Sequence, residues 1–354
     1  MISGRTNYSE IDTIRFITIS IIVWSHSLLP PWHDQSTDEL FEEIIKSFVK
    51  QLGAISTIIF FIVSGILMRS KLQEYSLKGY FNERIPVVYG PWLFIVCFNV
   101  LLIMFHQLSQ QDLLATRSVS TIVKSIYARV IGLIVYGPYW FVLTYLVGMV
   151  VLIYFKQYSC NGYFGLVLFA ITLFYALNFH FEWIDTLHSK AILAYTFFIW
   201  LGFQFHSHWK EILAKVKKIT WPIMFIMTLV FFSIACYEGY ILSLNSVRDP
   251  FASNRITNII FSLIFFMLLL KIGPIRIINN LRPRKIVYGI YLINSIVLLE
   301  LTVIFKKYID YLYLVDIWVL IALQLVFFAV TLILTYLIVY FVINSSLRWI
   351  IGSR

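Results

Sequence analysis

Long apolar runs separated by short polar stretches recur from one end of this chain to the other. About 20 helical residues are needed to cross a hydrocarbon core of about 30 Å. Ten runs approach or exceed that length, at 13–30, 47–68, 86–106, 138–155, 163–180, 191–206, 219–242, 256–273, 286–305 and 314–343. None alternates apolar and polar positions as an outer-membrane strand does, and each is longer than the roughly 10 residues such a strand takes. The pattern predicts an all-α class: a polytopic transmembrane helical bundle of about ten spanning helices. The stretches between runs hold no Gly/Ser linker and no internal repeat, so a single integral-membrane domain over 1–354 is expected, with no separate soluble domain. The first run is not expected to be a cleaved signal peptide, because Arg5, Glu10, Asp12 and Arg15 crowd its start and no small-residue cleavage site follows.

Composition agrees. The chain is 60% hydrophobic and 13% charged, whereas soluble domains carry about 25% charged residues. A soluble globule, a disordered chain, collagen and a coiled coil are all excluded. Cys97, Cys160 and Cys236 are scattered and form no CxxC pair or disulfide framework. His206 and His208 stand on different helix faces, while His33, His106, His180 and His188 lie at or beyond run ends, so no metal site is expected. The formal charge of +10 marks cytoplasmic loops and their contact with anionic membrane lipid in a protein of this class, and nucleic acid is not expected as a partner. With an even number of spans and cytoplasmic termini, 18 basic residues fall on the cytoplasmic side and 10 on the other. Asp34, Asp38, Glu39, Glu42 and Glu43 crowd the first outer loop. Both termini are therefore placed in the cytoplasm. The segment 107–137 falls outside in spite of Arg117, Lys124 and Arg129, and its apolar second half suits a surface helix or a re-entrant piece.

Ionisable groups inside spans carry the chemistry, since each is costly unless it faces protein or an aqueous cavity. Arg15 and His26 are eleven residues apart. That is about 1100° of helical rotation, three turns plus about 20°, so the two side chains share a face about 16 Å apart along the axis. Ile19 and Ile22 lie between them on the same face, and Asp12 sits about 60° to one side of Arg15. Arg15 reads either as a snorkelling anchor or as a cationic site at the inner mouth, and His26 either as a satisfied core histidine or as a proton-exchanging group near neutral pH. Ser64–Gly65 reads as a close-packing pair or a small polar site. Lys78 and Arg84 lie in or beside a basic loop that leads to a proline-interrupted helix and suits a phosphate. Trp140 suits an interface belt. Tyr291, Asn294 and Glu300 lie in the ninth run and Glu238 in the seventh; the two carboxylates are expected at depth, with partners that the sequence does not assign.

In this order, these pieces resemble the acyltransferase 3 family of bacterial integral-membrane acyltransferases. The most specific element is the family's Asp, then Arg, then ten residues, then His, matched by Asp12, Arg15 and His26. Phe60-Phe61-x-x-Ser64-Gly65, Arg84 ahead of Pro91, Trp140-Phe141, the Phe-Phe-x-x-x-Gly at 197–202 and Tyr288-Gly289-Ile290-Tyr291-Leu292 add to it. Two departures stand out: Val87 sits where the family often has a second Arg, and Asn294 where it often has a His. The resemblance implies transfer of an acyl group, most often acetyl from cytoplasmic acetyl-CoA, to a hydroxyl of a surface polysaccharide or lipid-linked glycan, in the bacterial cytoplasmic membrane. No permanently bound cofactor is implied, since acyl-CoA is a substrate. His26, Arg15 and Asp12 are then the catalytic candidates, with Asp12 as the ion partner of Arg15. Arg15, Arg84, Lys78 and Ser64 are the donor-binding candidates, and Trp140, Tyr291, Asn294 and Glu300 would support the acceptor side. The rival readings are a multi-pass transporter or flippase, whose substrate path the same face would line, and a non-catalytic scaffold or glycan polymerase.

Overall fold

The computed structural model describes residues 9–33, 40–109, 119–187 and 190–353. Arg5, Asp34, Asp38, Glu39, Arg117 and His188 lie outside these residues. All regular structure among the described residues is helical.

Helix α1 (Ser9–His26) is the hub. It ends sooner than the apolar run 13–30 suggests because Pro30 and Pro31 supply no backbone donors, and Leu29 before them is extended (φ −68°, ψ 152°). His26 is thus the last helical residue. Helices α2 (Leu40–Ala54) and α3 (Ser56–Leu72) run on as one 33-residue stretch, since Ile55 keeps helical angles. The helix therefore starts well before position 47 and takes Glu42 and Glu43 out of the expected loop.

Helix α4 (Leu77–Arg84) passes through a widened turn at Ile85–Tyr89 into α5 (Gly90–Ser109). Pro86 and Pro91 remove two amide donors, and the Gly90 N–H bonds Ile85 O five residues back. A Cβ at Gly90 would lie 2.9 Å from that oxygen. Helix α6 (Val119–Ile131) continues through another widened turn to Tyr136 and bends by 65° into α7 (Trp140–Tyr154), a broken span or re-entrant piece. Then come α8 (Gly162–Phe181), α9 (Thr196–Ser207), the short α10 (Trp209–Lys218), α11 (Trp221–Leu244), α12 (Ile256–Ile272), α13 (Arg276–Asn280), α14 (Pro283–Phe305), α15 (Ile309–Leu312) and α16 (Ile317–Ile343). A final short turn, Ser346–Ile351, folds back under α14 and α16.

By length and apolarity, six helices among the described residues suffice to cross a membrane, or seven if the bent α6–α7 pair is one span. Ten spans were expected, and the three others are α1, α9 and α12. Helix α1 carries Glu10, Asp12 and Arg15, α9 has 12 residues, and α12 has 17. Each buries much of its surface against neighbouring helices, and length and composition alone do not count it as a span. Helix α1 packs against α2, α3, α12, α13, α14 and α16, while α5, α8, α11 and α16 turn large apolar side chains outward. The tightest crossing is α3 on α9, where a Cβ on Gly65 would lie 2.1 Å from Ile199 O and one on Gly202 would lie 2.2 Å from Ile62 O. Only glycine lets those backbones meet.

Candidate active site

The Arg15–His26 face of α1 borders two cavities, one at each end. At the Arg15 end, a cavity of about 280 Å³ is lined by Arg15, Arg84, Ser64, Tyr145, Tyr288 and Gly352, among others. Arg15 makes no ion pair among the described residues. The Arg84 guanidinium donates from Nη2 to Met68 Sδ at 2.8 Å and to the Tyr75 hydroxyl at 3.4 Å, while its Nε is buried and unpartnered. Tyr75 in turn donates to Glu83 at 2.8 Å. Burial, and then that bond, push the Tyr75 hydroxyl above its ordinary range, so it stays protonated and holds Arg84 from the side. Neither guanidinium has a carboxylate oxygen within 4 Å among the described residues, although the charge of Asp12 acts on Arg15 and that of Glu83 on Arg84, and two cations beside one small cavity are an arrangement that suits an anion. Ser64 faces this cavity and Gly65, about 100° further round the helix, makes the α9 crossing, so the pair divides the two duties that its sequence suggests.

At the other end, a cavity of about 680 Å³ is lined by His26, Asn99, Trp140, Ser253, Ser295 and others. His26 Nδ1 lies 3.1 Å from Asn294 Oδ1. The Asn294 amide nitrogen donates to Ile290 O at 3.0 Å and to Tyr291 O at 2.7 Å. Carbonyls only accept, so that atom is the amide nitrogen and the oxygen is the one that faces His26. Amide oxygens only accept too, so the neutral imidazole carries its hydrogen on Nδ1 and its basic lone pair on Nε2. Beside this pair, Asn99 donates to the Tyr139 hydroxyl at 3.2 Å and to Ser295 Oγ at 3.1 Å, and Tyr139 and Ser295 are hydrogen-bonded to each other.

Ile22, Phe141 and Tyr291 line both cavities and form the wall between them. Tyr291 is pinned by its hydroxyl, which donates to Pro138 O at 2.9 Å. Phe141 packs tilted against Phe61 and edge-to-face against Tyr291, with ring centroids 4.4 and 5.9 Å away. A third cavity of about 440 Å³ shares His26, His33, Leu298 and Thr302 with the larger one and is otherwise mainly apolar, with Leu312, Phe305 and Phe327 in its walls.

The structure brings Arg15, Arg84 and Ser64 together at one end, and His26, Asn294 and Trp140 at the other, with Tyr291 between. Several expectations are corrected. Asp12 pairs with Arg284 rather than with Arg15: the Arg284 Nε lies 2.9 and 2.7 Å from the two carboxylate oxygens. Its position about 60° round the helix turns it toward the start of α14 and away from the cavity. Lys78 lies on the exposed side of α4, outside the cavity. Glu300 is not buried by protein: its side chain is 44% exposed and lies 2.9 Å from His106 Nε2. Glu238 is buried as expected, and it takes hydrogen bonds from His180, Thr257 and the fully buried Arg255. Arg284 and Arg255 escape the sequence reading because each lies at a loop edge and looks like an ordinary flanking charge. Asn99 was findable, as a lone amide in the middle of an apolar run.

A family model described as an acyltransferase domain matches residues 8–340. No curated protein and no solved structure matches the chain.

Proposed function

The chain belongs to the acyltransferase domain family, and from that premise we propose that this integral membrane acyltransferase moves an acyl group, acetyl above all, from acyl-CoA to a hydroxyl of a surface polysaccharide or lipid-linked glycan. The observation that carries the reading is the placing of two arginines on one cavity and of a histidine oriented by Asn294 on the next, with Ile22, Phe141 and Tyr291 shared by both. In this reading the Arg15 end faces the cytoplasm of a bacterium, where the polyanionic donor is made. Arg15 and Arg84 hold its phosphates, with Ser64 at their side.

At the other end, His26 Nε2 takes the proton of the acceptor hydroxyl. The oxygen attacks the thioester carbonyl, a C–O bond forms, and the C–S bond breaks with its electron pair leaving on sulfur. The proton held by His26 passes to the thiolate, so the products are the ester and free CoA thiol. Asn294 holds the imidazole in the tautomer that this requires. The apolar side cavity next to His26 favours a lipid-linked acceptor over a free polysaccharide.

Release of CoA thiol from acetyl-CoA by the purified protein in detergent, with a crude lipid-linked glycan extract, tests the reading. Glycan-dependent release that His26→Ala lowers by about 10²-fold or more, the range general base catalysis contributes, is the expected result. Full activity in that variant would contradict it. A transporter would release no thiol in detergent with any acyl-CoA.

A further inference from the structure

The wall between the two cavities poses a problem that the acyl-transfer reading, on which this inference rests, leaves unsolved. Arg15 and Arg84 line one cavity and His26 the other. The helix geometry sets Arg15 and His26 about 16 Å apart along α1. A donor held by its phosphates at the arginines must therefore present its acyl end past Ile22, Phe141 and Tyr291 before an acceptor oxygen next to His26 can attack it.

The three side chains make a nearly featureless wall. Ile22 lies one turn before His26 on the same face of α1. Phe141 packs against Phe61 and Tyr291 and turns an apolar ring to both cavities. The one polar side-chain atom of the wall, the Tyr291 hydroxyl, is already donating to Pro138 O. Nothing else on the wall can solvate a carboxylate, and an ionised group held against hydrocarbon without partners is strongly disfavoured.

We propose that Ile22, Phe141 and Tyr291 form the acyl selector of this enzyme: a septum that passes short, uncharged acyl groups such as acetyl and rejects long or anionic ones such as hexanoyl and succinyl. The chemistry across it is the thioester-to-ester exchange given above. The acceptor oxygen bonds the carbonyl carbon, sulfur leaves with the C–S pair, and the hydroxyl proton ends on the thiol, so no further reactant is needed. Selection is steric and dielectric, and it acts on the acyl group while the arginines act on the rest of the donor.

The test is thiol release by the purified protein in detergent from acetyl-, propionyl-, butyryl-, hexanoyl- and succinyl-CoA, each with the same crude lipid-linked glycan extract. In the wild type, kcat/KM falls about tenfold or more for the groups that no longer fit, which is the discrimination a shaped apolar pocket achieves per unmatched methylene step. Ile22→Ala and Phe141→Ala flatten that length series, raising the hexanoyl-to-acetyl ratio about tenfold, while succinyl-CoA stays poor because no partner for its carboxylate has been added. Ile22→Phe steepens the series, and Ile22→Val, which removes a single methylene, flattens it slightly and answers the question should the alanine variants fail to fold. A flat series in the wild type, or a ratio that none of these variants moves, overturns the septum while leaving acyl transfer standing. Absence of thiol release from all five donors overturns both.

Discussion

His26 and Asn294 make the most exacting claim at the scale of single residues. The Asn294 amide is oriented by two backbone carbonyls and in turn faces the imidazole, so its removal bears directly on His26. Asn294→Leu is expected to lower kcat about tenfold or more with little change in KM for the donor, as loss of a residue that orients a reacting group does. Asn294→Asp keeps an acceptor oxygen opposite Nδ1 and is expected to retain more of kcat than Asn294→Leu; equal losses in the two variants would show that the contact does not govern the proton transfer. In the proposed reading Arg15 acts on binding instead. Arg15→Gln removes a charge-assisted hydrogen bond worth about 1.5–3 kcal/mol, which raises the donor KM about tenfold or more while leaving the dependence on acyl length in place. The sequence shows this face of α1 in full, because eleven residues of helical spacing fix it. It cannot show which helix faces it, and so the pairing of Asp12 with Arg284 and the role of Asn294 toward His26 appear only in three dimensions.

At the scale of elements, two devices hold α1 and its neighbours in register. Helices α3 and α9 meet backbone to backbone at Gly65 and Gly202, and a methyl group at either would press within 2.2 Å of a facing carbonyl oxygen. Gly65→Ala is expected to destabilise the protein by about 1–3 kcal/mol, the cost of overpacking a tight contact, seen as a lowered melting temperature in detergent. Because both glycines occupy one contact, Gly65→Ala and Gly202→Ala together cost less than their sum. The Asp12–Arg284 pair joins α1 to α14, but the Arg284 side chain is 53% exposed. Asp12→Asn should therefore cost no more than about 1 kcal/mol, and a larger loss would give the pair a weight beyond that of a solvent-screened bridge. Element boundaries were less legible than element existence. The α2 helix begins earlier than its apolar run because its first turns are amphipathic, and α1 ends earlier because Pro30 and Pro31 cannot extend it. Local composition says nothing about whether an apolar helix is central, so the shorter α1, α9 and α12 look like spans in the sequence although only six or seven helices are long and apolar enough to be so on their own.

At the scale of the whole molecule, the proposed reading has a charged donor meet Arg15 and Arg84 at one end and a lipid-linked acceptor meet His26 at the other, with Ile22, Phe141 and Tyr291 lining both cavities between them. The central claim of this account is that donor and acceptor approach from opposite ends. It is tested most directly in sealed proteoliposomes, with the glycan extract trapped in the lumen and radiolabelled acetyl-CoA, which cannot cross the bilayer, added outside. The account predicts labelled glycan in the lumen, absent with His26→Ala. Labelled glycan formed only when extract and acetyl-CoA share one side of the membrane would contradict it.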